Sequence, residues 1–318
     1  TDGFFRDEQG STLEGPPLDW SLSAGFADVN DDGYPDLYVC SDFISPDRLW
    51  LNQGGNGFRA ATRAVIGHTS WSSMCVDWAD LDRDGDWDFF VGDMLSREHR
   101  RRHYQRANHT ANAWTDWAFE QGRQYMRNTL YLNRGNKSFA ELGRYAGLAA
   151  TEWTWNCAWI DVDRDGWEDL LVTNGHPHDS LDSDAAVRLG QLTRDHPEAR
   201  LELPSLKTPN LAFRHRGGLR FEERGAAWGF ESRTHGQGLA LGDLDGDGDR
   251  DLVVNPLNAP LEIYENIGTG PLVVVRLEDG RRGRTVCGAK VTLRSPRGSL
   301  MREIRCGGRY LSGDEGEL

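Results

Sequence analysis

The sequence has no long apolar run. Among its 318 residues the longest runs of apolar side chains are four residues, as at 157–160 and 272–275, whereas a helix that crosses a bilayer needs about 20. A membrane-spanning helix is therefore excluded. No apolar leader follows Thr1, so we expect any signal peptide to have been removed or to lie outside this sequence.

Basic residues are too few for binding of nucleic acid. The chain has 36 Lys and Arg against 50 Asp and Glu, a net charge of −14, and nucleic-acid binding depends on clustered basic side chains. Fifteen of the acids occupy the ligand positions of four short loops described below, which leaves 35 acids against 36 bases. The excess negative charge is local, and nucleic acid is excluded as a partner.

The motifs of common enzymes are absent as well. The sequence contains no Gly-x-Ser-x-Gly, no P-loop, no dinucleotide fingerprint and no zinc-binding HExxH. No standard motif therefore supports catalysis, and whether the protein is an enzyme stays open.

The residues that are plentiful favour an all-β repeat protein. Apolar residues make up 38% of the chain and aromatic residues 10%, which is enough for a packed core and disfavours disorder. The 37 Gly residues indicate many tight turns, and the 12 Trp residues indicate repeated aromatic packing.

One nine-residue motif, D-x-[DN]-x-D-G-x-x-D, occurs four times. Its copies span 28–36, 80–88, 161–169 and 243–251. Each copy is followed by a short apolar run typical of a strand, at 37–39, 89–91, 170–172 and 252–254. Four copies of one motif indicate an internal structural repeat.

The loop has the chemistry of a site for a hard cation. Side chains at positions 1, 3, 5 and 9 can converge, the position-7 carbonyl can add an oxygen, and Gly at position 6 permits a sharp turn, which suits the roughly six to eight oxygen ligands of Ca²⁺. Mg²⁺ seldom uses such a site, and in the alternative, a metal-free acidic turn, the carboxylates would repel one another. We therefore expect Ca²⁺ as the cofactor. The predicted ligands are Asp28, Asn30, Asp32, Asp36, Asp80, Asp82, Asp84, Asp88, Asp161, Asp163, Asp165, Asp169, Asp243, Asp245, Asp247 and Asp251.

An EF-hand, which opens with a similar motif, is excluded. It requires a Glu at position 12 and flanking helices. Position 12 is instead Val39, Val91, Val172 and Val254, each within the strand-like run. The repeat is therefore predicted to be a strand, a calcium loop and a second strand.

A second recurring element follows each loop. It reads as a strand that ends in a turn, and it begins at Asp47, Asn128, Asn210 and Pro260. A further short strand opens at Phe58, Phe139 and Phe221. Each unit thus supplies about four strands, which is the composition of a β-propeller blade. Residues 1–7 match the start of the last strand, so we expect the chain to begin within a blade.

The four loops and the Leu-Tyr-Leu-Asn type strands between them resemble the FG-GAP/VCBS repeats of integrin-like propellers. Residues 286–292 and 302–312 resemble the ASPIC/UnbV domain, and together the segments are similar to the cartilage-acidic-protein-like (CRTAC-type) family. The resemblance implies an all-β, calcium-binding propeller of four or more blades, incomplete at both ends, over residues 1–270. It also implies a small partial β domain over 271–318 and export to the cell exterior, the periplasm or the cell envelope.

Two of the units carry about 30 extra residues each, near 93–127 and 175–209. Both insertions follow the strand that leaves the calcium loop, so they are expected together on the opposite face. The residues of the first insertion are compatible with a solvated basic helix, an anion site at 100–102 or a metal site. Those of the second insertion are compatible with a polar loop, a metal site or a general base. The candidate ligand-binding residues are Asp93, His99, His103, His176, His178 and Asp179.

Three functions are compatible with these features. The first is a secreted binding or adhesion module for a glycan or protein ligand, with structural calcium. The second is an enzyme, natural-product tailoring or carbohydrate-active, that uses the insertion face, and the third is a structural envelope protein. Trp71, Trp153 and Trp155 precede calcium loops and are interpreted as core residues, with a sugar-stacking platform as the alternative.

We predict a disulfide between Cys287 and Cys306. The chain has five Cys, so complete pairing within the chain is impossible. A hairpin that turns between residues 296 and 297 places these two Cys opposite each other, with Cβ atoms about 4.5–5.5 Å apart and near disulfide geometry. In the oxidised, denatured protein a thiol reagent should then leave both unlabelled. Labelling of both residues would refute the bridge.

Overall fold

The computed structural model describes residues 20–42, 45–61, 63–107, 123–135, 138–189, 198, 201, 203–279, 284–285, 288–295, 298–305, 307 and 309–314. Most of the regular structure in this part of the chain is β-strand. None of the helices described there is long and apolar enough to cross a membrane.

The first half of the chain contains two repeat units. The first has β1 (Ser21–Ala27), β2 (Asp36–Ser41), β3 (Arg48–Asn52) and β4 (Phe58–Ala60), followed by α1 (Arg63–Ile66) and β5 (His68–Ser70). The second has β6 (Cys75–Ala79), β7 (Asp88–Gly92), α2 (His99–Ala107), β8 (Arg123–Tyr125), β9 (Thr129–Asn133) and β10 (Phe139–Glu141), followed by α3 (Gly143–Ala146).

The second half contains two further units and a C-terminal segment. The third unit has β11 (Thr154–Ile160), β12 (Asp169–Asn174), α4 (Ser183–Leu189), β13 (Leu211–His215) and β14 (Phe221–Glu223). The fourth has β15 (Gly236–Gly242), β16 (Asp251–Pro256) and β17 (Glu262–Tyr264). The C-terminal strands are β18 (Glu278–Asp279), β19 (Arg284–Thr285), β20 (Lys290–Ser295) and β21 (Gly298–Glu303).

Each unit forms one antiparallel sheet. The strand orders are β1-β2-β3-β4, β6-β7-β9-β10, β11-β12-β13-β14 and β15-β16-β17. The fourth sheet therefore has three strands among the described residues, one fewer than the repeat predicts. β8 leaves the second unit and pairs in parallel with β5. The prediction of propeller blades is confirmed, and the described part of the chain contains four of them.

The blades pack face to face, with their first strands side by side. β6 lies between β1 and β11, and β15 lies beyond β11. Phe89 of β7 packs on Tyr38 of the first blade, with ring centroids 4.8 Å apart, while Phe90 packs on Trp159 of the third blade at 6.3 Å. Successive residues of a strand point to opposite faces, so a blade that is covered on both faces needs an unbroken apolar run. This packing accounts for the apolar runs that follow the acidic loops.

In three of the blades, the first residue of the second recurring element stabilises the end of the sheet that lies away from the acidic loops. Its side-chain oxygen accepts a hydrogen bond from the backbone N–H at the end of the second strand. These bonds join Asp47 to Ser41 (2.8 Å), Asn128 to Asp93 (2.7 Å) and Asn210 to Asn174 (3.0 Å). All three side chains are buried, so each bond fixes the place where the chain leaves the sheet.

β20 and β21 form a hairpin with the predicted register. Lys290 lies opposite Glu303, and the pairing continues to Ser295 opposite Gly298. Just before β20, Gly288 has a φ of 81° and donates its N–H to the backbone oxygen of Ile304 at 2.8 Å.

Cys287 and Cys306 lie outside the described residues, so the disulfide between them stays a prediction. Cys40, Cys75 and Cys157 are buried free thiols on three different blades. The hairpin register that motivated the pairing holds for the six residue pairs from Lys290 to Ser295.

The C-terminal segment packs against the first strands of the middle blades. Arg305 and Arg309 both form ion pairs with Asp77 of β6, at 2.9 and 3.0 Å, and Arg309 also pairs with Asp314 at 2.7 Å. Met301 of β21 is buried in the apolar core between the first two blades. The segment is therefore held on the propeller both by paired charges and by apolar burial.

Candidate functional site

The last aspartate of each acidic loop ties the loop to two strands. One carboxylate oxygen accepts a hydrogen bond from the backbone N–H of the second loop residue, at 2.9–3.0 Å. The other accepts from the residue at or just after the end of the third strand, at 2.7–2.9 Å. The four aspartates, each with its third-strand partner, are Asp36 with Asn52, Asp88 with Asn133, Asp169 with His215 and Asp251 with Asn266. The same pair of bonds in every blade gives all four loops one shape.

The turn within each loop aims the first carboxylate at the loop centre. The position-6 glycine donates its N–H to the position-1 aspartate in every copy, at 2.8–3.2 Å. The φ values of these four glycines are 86–95°, a left-handed conformation that glycine adopts without strain. The glycine of the motif is thus required by the backbone.

In three loops the acids converge as a metal site requires. Carboxylate oxygens within 4.8 Å of one another come from Asp80, Asp82 and Asp88, from Asp161, Asp163 and Asp169, and from Asp243, Asp245 and Asp251. In the first loop Asn30 stands at the second ligand position, and the loop forms no such group of acids among the described residues.

The converging carboxylates lie in surroundings that disfavour their ionised form. Burial, followed by neighbouring acids, raises the pKa of Asp80 to about 6 and that of Asp169 to about 8. One oxygen of Asp80 and one of Asp163 are buried without a hydrogen-bond partner. Buried anions with unused oxygens fit a hard cation with oxygen ligands, and the residues present therefore fit Ca²⁺.

The third loop differs from the others because it contains a cation from its own blade. On the third strand, the residue opposite the last loop aspartate is Leu51, Leu132, Arg214 and Glu265 in the four blades. The Arg214 guanidinium contacts Asp163 at 2.5 Å and Asp165 at 2.9 Å. Two of the four ligand carboxylates of this loop are thus already paired.

Contacts between the loops link neighbouring blades. Arg83, at position 4 of the second loop, donates to the backbone oxygen of Gly166 and stacks over the Trp167 ring at 3.6 Å. Arg164, at position 4 of the third loop, pairs with Asp249 of the fourth. At the first loop, Lys290 of β20 lies 3.2 Å from Asp28. The loops therefore form one connected surface.

On the opposite face the structure brings the two insertions together. α2 packs on α4, and the hydroxyl of Ser183 donates to the backbone oxygen of Tyr104 at 2.6 Å. Arg101 of α2 and Asp179 of the second insertion form a buried ion pair at 2.7 Å. These contacts show that the two insertions pack on each other.

Two of the candidate ligand residues have structural contacts instead. The Asp93 carboxylate is fully buried and accepts hydrogen bonds from Ser70 and from the backbone of Trp71, Ser72 and Met94, so it is unavailable to a ligand. Asp179 is buried against Arg101. Sequence reasoning could not show that the oxygens of both side chains are used within the fold.

The candidate histidines differ in their exposure. His99 and His103 are exposed on α2, with Nε2 atoms 3.1 Å apart. His176 is half-buried and stacks on Trp153 at 4.1 Å, and its Nδ1 contacts the backbone of His178. His109 and His196 lie outside the described residues.

The tryptophans before the third loop belong to the interior. Trp153 and Trp155 are 5% and 9% exposed, and Trp155 stacks on Tyr310 of the C-terminal segment at 5.4 Å. Their planes are too enclosed for a sugar ring to stack on them, so the interpretation as core residues holds.

Sequence reasoning missed the two cations at the loops. Arg214 could have been found by aligning the repeats, because leucine occupies its place in the first two blades. Lys290 lies 262 residues from Asp28, and no local pattern indicates that contact.

Comparison with known proteins agrees with the fold. Residues 28–91 and 111–172 match the model of the FG-GAP-like repeat, so the chain contains FG-GAP-like repeats arranged as propeller blades. No curated protein matches the chain. A similar solved structure is an Agrocybe aegerita lectin, described by its specific recognition of non-reducing terminal N-acetylglucosamine. The two chains are 14% identical with a TM-score of 0.38, and the match covers 90% of this chain and 60% of the lectin. At this TM-score the likeness gives no information about a ligand.

Asp47 should make the stability of the protein depend on pH. Burial raises its pKa to about 7, although Ser73, Ser41 and Tyr38 donate hydrogen bonds to it. The folded state then binds more protons than the unfolded chain between about pH 4 and pH 7, so this group lowers stability as the pH rises through that window. We expect Asp47→Asn to be more stable than the wild type at pH 8, by about 1–4 kcal/mol, and the difference to shrink to about 1 kcal/mol or less near pH 4.5.

Denaturant unfolding of both proteins at the two pH values, in constant calcium, measures this difference. Glu231→Gln, which changes an exposed carboxylate, is the matched control and should show no such crossover. A variant that is destabilised equally at both pH values would contradict the assignment.

Proposed function

We propose that this chain is a calcium-stabilised propeller of an exported protein and that its insertion face binds a glycan or protein ligand. The observation that carries the proposal is the acidic loop, repeated in four blades with one hydrogen-bond pattern and with converging acids in three of them. We further propose that residues 1–270 form the propeller and that 271–318 form a small β appendage.

Calcium would be held by the side chains at loop positions 1, 3, 5 and 9, with the position-7 carbonyl as a further oxygen ligand. When bound, the ion supplies positive charge where the carboxylates of each loop repel one another. Because the position-9 aspartate also holds the third strand, neutralising the loop stabilises the whole blade. Weak sites of this kind fill at the millimolar calcium of the cell exterior, which supports export.

The insertion face supports ligand binding because it is built from side chains that the repeat does not need. α2 and the second insertion are fixed to each other by the Arg101–Asp179 pair, which gives a firm platform. His99, Arg100 and His103 are exposed on it. Binding residues commonly lie on connecting segments that a rigid scaffold holds in place.

The alternative, an enzyme that uses this face, is favoured by one contact. The Ser205 hydroxyl lies 2.8 Å from Nε2 of His235. Among the described contacts, no carboxylate is bonded to the other ring nitrogen of His235, so the pair lacks the orienting group of a serine hydrolase triad. We therefore place the binding function first.

Removal of calcium should lower the melting temperature markedly. An ion at 100 times its Kd adds about 2.7 kcal/mol per site, and the released carboxylates then repel one another. Thermal unfolding in calcium, in magnesium and in excess chelator measures the effect. Asp80→Asn should lose part of the calcium-induced rise, whereas Asp184→Asn, at an exposed position of α4, should retain it. An unchanged melting temperature in excess chelator would contradict the proposal.

Arg214 should weaken calcium binding at the third loop. Removing a unit charge about 4 Å from the site is worth about 1–4 kcal/mol, so Arg214→Leu should tighten one calcium site by about tenfold or more. Leu132→Arg places the same charge at the equivalent position of the second loop and should weaken one site by a similar factor. Calorimetric calcium titration measures both variants. Unchanged affinities in both would show that this position does not control the loop.

A further inference from the structure

An arginine-lined groove lies on the insertion face beside α2. It is open to solvent, with a volume of about 590 Å³, and Arg97, Arg102, Arg127 and Arg144 all line it. Two arginines come from the start of the first insertion, one from its return after β8, and one from α3. The groove thus forms where the insertion leaves and re-enters the second blade.

We infer that this groove binds an acidic glycan, a polysaccharide that carries carboxylate or sulfate groups. The inference rests on the proposed function, because it places the ligand on the same insertion face and names its chemical class. The chain as a whole carries a net charge of −14, whereas four guanidinium groups line this groove.

The carboxylates near the groove balance only part of this charge. Arg97 forms a half-exposed pair with Glu223, and Arg127 forms a mostly buried pair with Glu141. Arg102 donates to the backbone oxygen of Ser96, a neutral partner, and Arg144 is exposed on α3. Glu152 is a third nearby carboxylate, and it accepts the backbone N–H of Arg97 at 2.8 Å. None of the described residues that line the groove is acidic, so the lining itself is positive.

Two of the arginines are held in place before any ligand arrives. The Arg127 guanidinium is fixed by Glu141 and by His68 at 3.0 Å, and it lies over the Tyr125 ring at 5.0 Å. The bond from Arg102 to Ser96 anchors the second. A planar guanidinium donates two parallel hydrogen bonds to a carboxylate or sulfate, and pre-positioned groups lose less entropy on binding.

The groove also offers the apolar surface that a sugar needs. Tyr125 is 38% exposed, and the small residues Gly147, Ala149 and Ala150 also line the groove. Pyranose rings present C–H faces between their charged groups, so alternating guanidinium groups and apolar surface fit an acidic glycan. Nucleic acid carries one charge per about 1.7 Å of helix, so the acidity of the rest of the chain would repel it more strongly than a glycan with more widely spaced charges.

Binding should be measured by calorimetry, in calcium, with four probes. Hyaluronan carries carboxylates alone, chondroitin sulfate carries both groups, dextran is neutral, and single-stranded DNA is a polyanion without sugar acids. We expect binding of hyaluronan or chondroitin sulfate that weakens as salt increases, and none of dextran. Tighter binding of chondroitin sulfate than of hyaluronan would show that the arginines recognise sulfate. Equal binding of the two would show that they recognise carboxylate.

The test variants are Arg144→Ala and a double variant that combines Arg102→Ala with Arg144→Ala. The control is Arg59→Ala, at an exposed position of β4. The double variant should bind the acidic glycan at least tenfold more weakly, and Arg59→Ala should bind it as the wild type does. Unchanged binding by the double variant, binding of dextran, or DNA bound as tightly as the glycan would each overturn the inference. The calcium-induced rise in melting temperature, measured on the same samples, reports separately on the proposed function.

Discussion

Each blade depends on the two hydrogen bonds accepted by the aspartate at position 9 of its acidic loop. Its two oxygens hold the start of the acidic loop and the end of the third strand, as Asp88 does with Leu81 and Asn133. The residue that begins the second strand therefore sets both the loop geometry and the strand register. Since this carboxylate is buried with other acids, the folded blade carries an electrostatic cost at the point that organises it. A cation at that point removes the cost without changing the hydrogen bonds.

The blades are coupled at both levels of the structure. Within the core, neighbouring residues such as Phe89 and Phe90 pack on different blades, so no blade is complete alone. At the loops, Arg83 and Arg164 reach into the next loop around the propeller. The second, third and fourth loops are therefore joined in chain order. The C-terminal segment adds a third link, because Arg305 and Arg309 share Asp77 of the second blade.

Local features of the sequence predicted the blades well. They could not predict contacts between segments that are distant in the chain. The four loops, the strands after them and the hairpin register each follow from residues near one another in the chain. The roles of Asp93 and Arg214 do not, because each depends on a partner that the topology brings from another segment. The groove could not be predicted for the same reason, because its arginines come from the start of the first insertion, from the segment after β8 and from α3, and share no motif. Periodicity indicates which face a residue occupies but not whether its polar atoms are already bonded.

The separation of charge between the two faces bears on how calcium would affect an acidic ligand. Four calcium ions carry +8 and would reduce the net charge from −14 to −6, which lessens the repulsion of an anion. A second strand of five residues, such as β7, spans about 16 Å at about 3.3 Å per residue. That distance is roughly twice the Debye length of about 8 Å at physiological salt, so direct attraction across the blade is mostly screened. Calcium would therefore act on the groove mainly by holding the second blade folded, and its electrostatic contribution would emerge only at low salt.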